Sequence, residues 1–192
     1  MKLIDISREM FSAPVYPGDP APELEAVCRM ELGDPCNTSV YHGCVHNGTH
    51  MDAPCHFLPD EIDIATVPLE ACVGECSVIE WEGPLLGAEA ENLVKFSHPR
   101  VLFKGNVEIT PSAAFVLSDS GLLLVGVEPQ SVAGAADTVA VHRQMLMGGV
   151  ILLEGLNLSE VKQGSYFLFA APIKLEGSDG APVRAVLVDK RR

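Results

Sequence analysis

Apolar residues in this chain fall in short runs instead of long 3.6-residue periods, a pattern that predicts many strands and few helices. Residues 3–6, 23–30 and 39–45 read as strands, the last delivering the chain into a histidine-rich segment. Between the first two lie Pro14, Pro17, Gly18, Asp19 and Pro20, a loop kept rigid because each proline fixes its own φ and restricts its predecessor. Further strands are expected at 77–81, 101–103, 122–127, 150–153, 166–175 and 183–188. A short helix is expected around Pro68 over residues 64–73. Another starts with Thr110 as cap and Pro111 at its first position and stops at Gly121, and a third covers 138–147 and ends at Gly148-Gly149. Strands and helices in this order predict an α/β fold with a substantial mixed sheet.

Composition narrows the picture. A chain of 192 residues with 47% hydrophobic content suffices for one sizeable core, so a single domain over residues 1–192 is expected. A formal charge of −13 argues against nucleic acid and anionic membrane surfaces as partners, since both attract basic faces. The first nine residues carry Asp5 and Glu9 where a secretory signal needs an unbroken apolar stretch, and the runs 122–127 and 150–153 are far too short to span a bilayer. A cytoplasmic protein acting on a small molecule is therefore expected. The six cysteines, at 28, 36, 44, 55, 72 and 76, include no Cys-x-x-Cys and are read as reduced thiols. Cys44 and Cys55 flank the histidine-rich segment, but packing is the preferred reading of both.

The chemistry is concentrated in residues 46–56, His-Asn-Gly-Thr-His-Met-Asp-Ala-Pro-Cys-His, with three imidazoles and a carboxylate in eleven positions. Imidazole and carboxylate are the usual ligands of zinc, manganese or iron, and a cation offsets the cost of converging so many polar groups. His50 and Asp52, two apart, share a face if the segment is extended, and Gly48 supplies the turn that brings His46 to them. Three protein ligands leave coordination positions open for water, as in catalytic sites, and His56 is then available as acid or base. Asp52, with two oxygens, can bridge to a second cation. His42 and His98, which stand alone, are read as structural.

These residues resemble the cyclase family of metal-dependent hydrolases, whose members include bacterial kynurenine formamidases and isatin hydrolases. The family signature is His-x-Gly-Thr-His-x-Asp-x-Pro-x-His, and His46, Gly48, Thr49, His50, Asp52, Pro54 and His56 match every fixed position. The similarity extends from Asp5-Ile6-Ser7 and Pro14-Val15-Tyr16-Pro17-Gly18-Asp19 to residues 171–175 and Pro182-Val183-Arg184-Ala185. The family's second metal site uses a histidine and a glutamate twelve positions apart, which fall here on His142 and Glu154. The resemblance implies two divalent metal ions, zinc first and manganese or iron as alternatives. His46, His50 and Asp52 would hold one, Asp52, His142 and Glu154 the other, with His56 as proton donor. It also implies a swivelling β/β/α fold and a homodimer or larger homo-oligomer.

Three departures bear on specificity. Kynurenine formamidases carry a tryptophan that helps hold the aromatic substrate where this chain has Tyr16, so a different or more polar ligand is expected there. The segment after 101–103 is shorter than in many members, which suggests a wider site. The family's Gly-x-Asp is changed to Gly126-Val127-Glu128. The resulting expectation is a metal-dependent hydrolase that opens an amide, cyclic amide or related acyl bond with metal-activated water, arylformamide first and isatin-like lactams second. The rival readings are a non-hydrolytic cyclase or dehydratase and a metal-containing binding protein without turnover.

Overall fold

In the computed structural model, which describes residues 1–190, the chain runs β1 (Lys2–Asp5), β2 (Glu23–Cys28), β3 (Thr38–His42), β4 (His50–Asp52), α1 (Leu69–Cys72), β5 (Val73–Glu80), β6 (Gly83–Leu85), α2 (Gly87–Val94), β7 (Arg100–Lys104), β8 (Val107–Ile109), α3 (Pro111–Asp119), β9 (Leu124–Val127), α4 (Thr138–Met147), β10 (Ile151–Glu154), β11 (Gly164–Phe169), β12 (Gly180–Pro182) and β13 (Val186–Asp189). Nine strands form one sheet in the order β1-β13-β11-β5-β7-β9-β10-β4-β12. Its centre, β5-β7-β9-β10, is parallel, and the strands on both sides of that centre are antiparallel. This is the α/β architecture with a mixed sheet that the apolar pattern predicts.

Central parallel strands are covered on both faces, so their sequences are continuously apolar instead of alternating. In β10, Ile151 and Leu153 point into one core and Leu152 into the other; in β7, Leu102 and its neighbours Val101 and Phe103 divide the same way. The first core lies inside the curl of the sheet among Ile6, Met51, Tyr166, Leu168 and Leu187. The second lies beneath α2, α3 and α4, where Ala90, Ala113, Leu117, Val141 and Met145 meet the sheet. Burying each such large side chain contributes roughly 1.5–3 kcal/mol.

Helix α3 begins as its sequence predicts. The Thr110 hydroxyl accepts the Ala113 amide at 3.3 Å and Pro111 occupies the first turn, while Gly121, past the end, has φ 77°. Helix α4 ends at Gly148. The helix expected over 64–73 divides instead into a 3-10 turn, Ile64–Thr66, and α1, because Pro68 lacks the amide to continue the first and caps the second. The strand expected over 166–175 stops at Phe169, and beyond it only Pro172 makes a bridge, to Val183. The strands expected over 23–30 and 39–45 end at Cys28 and His42. Helix α2 and strands β4, β6, β8 and β12 have no counterpart in the expected elements. Helix α2 opens at Leu86-Gly87 without a hydroxyl of its own: the Glu89 carboxylate accepts the Leu86 amide at 2.9 Å, and the distant Ser112 hydroxyl accepts the Gly87 amide at 3.1 Å.

Strands β2 and β3 form a separate two-stranded ribbon with nearly every residue exposed, and the His42–Glu25 pair lies on it at 3.0 Å. His98 meets the Ser165 hydroxyl at 3.2 Å. Neither histidine lines the main cavity.

Candidate metal centre

Strand β4 is three residues long and carries two of the signature residues. It is held on both sides: antiparallel to β10, with Glu154 opposite His50 and Leu152 opposite Asp52, and antiparallel to β12, with Pro182 opposite His50 and Gly180 opposite Asp52. Residues directly opposite share a face, so His50, Asp52 and Glu154 project to the helical side of the sheet while Met51 and Leu153 enter the other core. Helix α4 packs over that side and lowers His142 onto the group. The loop before β4 turns at Gly48, with φ 64°, and is tied down by the Thr49 hydroxyl donating to the Gly155 carbonyl at 2.6 Å. That turn returns His46 to the cluster.

The donors converge on one carboxylate. Asp52 Oδ1 lies 3.0 Å from His46 Nδ1 and 3.4 Å from His50 Nε2, and Asp52 Oδ2 lies 3.6 Å from His142 Nε2. Glu154 lies 3.4 Å from His50 Nε2 and 3.3 Å from His142 Nε2. The structure thus brings together all five residues expected to ligate metal. His56 joins them: single donor atoms of His46, Asp52 and His56 fall within 4.8 Å of one another, as do those of His50, Asp52 and Glu154. Asp52 is common to both sets. His56 is also the more open imidazole, its side chain 27% exposed against 4% for His50 and 3% for His142.

Three local observations fit this donor set to a divalent cation. His50 Nδ1 donates to the Gly48 carbonyl at 3.1 Å and His142 Nδ1 to the Thr138 carbonyl at 2.7 Å, so each neutral ring presents the lone pair of Nε2 to the centre. Asp52 Oδ2 is buried with no hydrogen-bond partner, an acceptor whose desolvation a cation would offset. The donors, imidazole nitrogen and carboxylate oxygen, suit zinc, manganese or iron.

Proton affinities respond to the same crowding. Burial pushes His50 down, yet the facing Asp52 and Glu154 carboxylates outweigh it and hold the imidazole well above its usual range. The same balance raises His46, beside Asp52, and His142, beside Glu154. Burial alone would raise Asp52, but His46 and His50 draw its carboxyl well below the ordinary range. Without a cation the cluster therefore holds protons where ligands would hold metal.

The centre forms the wall of a cavity of about 390 Å³, a volume suited to a small organic molecule. Tyr16 stands at its lip, 41% exposed, with Phe57, Gln130 and Asp179 among the other lining residues. Cys44 lines it too, its thiol pushed up chiefly by burial, whereas Cys55 packs against the first core. The shortened segment after β7 does not border this cavity, so the expected widening of the site does not follow from it; Lys104 and Gly105 line a separate surface hollow. Glu128, which replaces the family aspartate, accepts the Gly105 and Leu158 amides, each at 2.7 Å. Its role is to tie loops together.

Comparison with known proteins bears on the family and the fold. The family model Cyclase, described as "Putative cyclase", matches residues 4–123. The chain belongs to the cyclase family. A solved structure described as a potential metal-dependent hydrolase with cyclase activity is 29% identical to this cyclase-family chain, with a TM-score of 0.85 over 100% of this chain and 99% of that one. A predicted metal-dependent hydrolase from Bacillus stearothermophilus is 28% identical, with a TM-score of 0.80 over 97% of each chain. Isatin hydrolase A from Labrenzia aggregata, solved with benzyl benzoate, shares the fold at 20% identity, with a TM-score of 0.81 over 97% of this chain and 93% of that one.

Asp179 is the site residue that sequence reasoning missed. It precedes β12, and its Oδ2 lies 2.9 Å from His56 Nδ1 and 3.1 Å from His46 Nε2. Burial would raise its carboxyl, but the two imidazoles lower it below the usual range. The segment Asp179-Gly180-Ala181-Pro182 stands immediately before the Pro182-Val183-Arg184-Ala185 match, and a carboxylate beside a glycine there was the available signal.

Proposed function

We propose that this chain is a metal-dependent hydrolase of an amide, cyclic amide or related acyl bond. The observation that carries the proposal is the convergence of three imidazoles on one buried carboxylate with an orphaned oxygen, in the wall of a small-molecule cavity. In this reading His46, His50 and Asp52 hold one divalent ion and Asp52, His142 and Glu154 the other, zinc first and manganese or iron as alternatives. When bound, the ions supply Lewis-acid polarisation of the scissile carbonyl and activation of water at neutral pH.

The side chains do the rest. Asp52 and Glu154 provide the negative charge that keeps the ions in place, and the backbone carbonyls of Gly48 and Thr138 hold His50 and His142 in the tautomer that can ligate. His56, more open to the cavity than its neighbours, delivers a proton to the leaving nitrogen as the carbon–nitrogen bond breaks. Tyr16 and Phe57 give the cavity aromatic surface for a flat substrate. Arylformamides are the first class to assay and isatin-like lactams the second. The hydrolase and isatin hydrolase descriptions of structural neighbours support this reading.

Turnover in ¹⁸O-labelled water tests it, because only hydrolysis places solvent oxygen in a carboxylic acid product. Label-free product would assign the site to a cyclase or dehydratase reaction, and no turnover across formanilides, lactams and lactones would leave a binding protein. His56→Ala should retain metal and lose roughly 10²–10⁴-fold in turnover. Loss of metal from that variant would make His56 a ligand instead.

A further inference from the structure

We propose that Asp179 is the positioning residue of this site: one carboxylate oxygen holds the rings of His46 and His56 together and fixes which nitrogen each turns toward the cavity. The roles given to the two rings rest on the hydrolase reading above, while the hydrogen-bond geometry does not depend on it.

An ionised carboxylate only accepts, so any ring nitrogen facing it carries a hydrogen. Asp179 Oδ2 is 2.9 Å from His56 Nδ1, which makes the neutral His56 ring an Nδ1–H tautomer and leaves the lone pair on Nε2, available to the cavity the residue lines. The same oxygen is 3.1 Å from His46 Nε2, and Asp52 Oδ1 is 3.0 Å from His46 Nδ1, so each nitrogen of that ring faces a carboxylate; a cation bound beside Asp52 would take the lone pair of Nδ1 and leave the hydrogen on Nε2, toward Asp179. His46 is then ready to share a cation with Asp52 through Nδ1, the reverse of His50 and His142, whose Nδ1 atoms are engaged by carbonyls. The two rings are stacked, with centroids 4.2 Å apart, so the acceptor that orients one restrains the other.

The carboxylate is held from the main chain. The Asp179 carbonyl accepts the Ala53 amide at 2.9 Å, the Ser178 carbonyl accepts the Ile64 amide at 3.0 Å, and the Gly177 amide donates to Asp63 Oδ2 at 2.6 Å. Gly180 lets the strand come this close: a Cβ there would sit 2.7 Å from His46 Cε1 and 2.9 Å from the Met51 carbonyl. An outer carboxylate of this kind typically contributes 10–100-fold in metal affinity or activity.

The test reads tautomers and turnover in the full chain. In chelator-treated protein at about pH 9, long-range ¹H–¹⁵N correlation spectra should give His56 as Nδ1–H. Asp179→Ala should move His56 toward the Nε2–H form that an unpartnered imidazole favours, while Asp179→Asn, which keeps a neutral acceptor oxygen, should hold an intermediate population. With saturating metal and an identified substrate, Asp179→Ala should lower kcat by about 10–100-fold and change KM by less than about twofold, with Asp179→Asn in between. Unchanged tautomers in Asp179→Ala would overturn the proposal, as would a wild-type kcat in that variant. A tautomer change in a protein that hydrolyses nothing in the panel would sustain the positioning role and overturn the hydrolase reading instead.

Discussion

Asp52→Ala removes the side chain common to both donor sets, so its effect on metal-dependent stability can be worked out in advance. A ligand that binds only the folded state stabilises it by RT ln(1 + [L]/Kd), about 2.7 kcal/mol when the free ion stands at about 100 times Kd. For a chain of 192 residues each kcal/mol corresponds to roughly 2–4 °C in Tm, so each bound ion should raise the wild-type Tm by roughly 5–11 °C. Asp52 is 1% exposed and lies 3.0, 3.4 and 3.6 Å from His46, His50 and His142, so its removal takes the shared carboxylate from all three imidazoles at once. If the substitution weakens binding by at least about 100-fold, the same ion concentration contributes at most about 0.4 kcal/mol per ion and the shift falls to no more than about 1–2 °C for each. The assay is scanning calorimetry of each protein with chelator and with zinc, alongside metal analysis after dialysis. Because the comparison is made within each protein, any cost of the substitution to the metal-free fold cancels. A variant that keeps the full metal-dependent rise, or wild-type metal content, would refute the shared-carboxylate arrangement.

Tyr16→Trp should raise the ratio of specificity constants for N-formylkynurenine over a small lactam, by up to roughly tenfold for an aromatic contact worth ~0.5–1.5 kcal/mol; an unchanged ratio would remove Tyr16 from substrate recognition. Burial pushes the Cys76 thiol up to about 12 and Cys72 up to about 11, so a thiol reagent at about pH 8 should leave both unlabelled until the protein unfolds, while exposed Cys36 reacts at once. Because both folded values lie above the ~8.5 of an unfolded cysteine, the stability they contribute is complete below that pH and declines as pH rises toward 11–12; Tm should fall over that window and fall less in the Cys72→Ala/Cys76→Ala double variant. The β2–β3 ribbon exposes Leu24, Val27, Val40 and Tyr41, each by more than a third, and a lone two-stranded unit is marginal in water. Sedimentation should give a dimer or larger, lowered in mass by Leu24→Lys with Tyr41→Lys, and a monomeric wild type would refute the homo-oligomer.

Much of the fold was legible because it depends on local rules. The apolar runs at 101–103, 122–127 and 150–153 announced strands, which the fold places in the parallel centre of the sheet, and Thr110-Pro111 announced α3, since caps and prolines act on their immediate neighbours. The signature at 46–56 announced the donors because imidazoles and a carboxylate within eleven residues cannot be far apart. The elements missed were the short ones. Strands β4 and β12 have three residues each and pair as strands only with β10 and with each other, so no local pattern marks them. The same reason hid Asp179, which lies more than 120 positions from His46 and His56 in sequence and meets them only once β12 pairs with β4. The amino-acid sequence determined which groups were available for metal and where the core strands lay. Neighbouring carbonyls, Gly48 for His50 and Thr138 for His142, set the tautomers of those two rings locally, whereas tertiary pairing decided which donors converge and which carboxylate orients His46 and His56, because Asp179 comes within hydrogen-bond reach only in the assembled sheet.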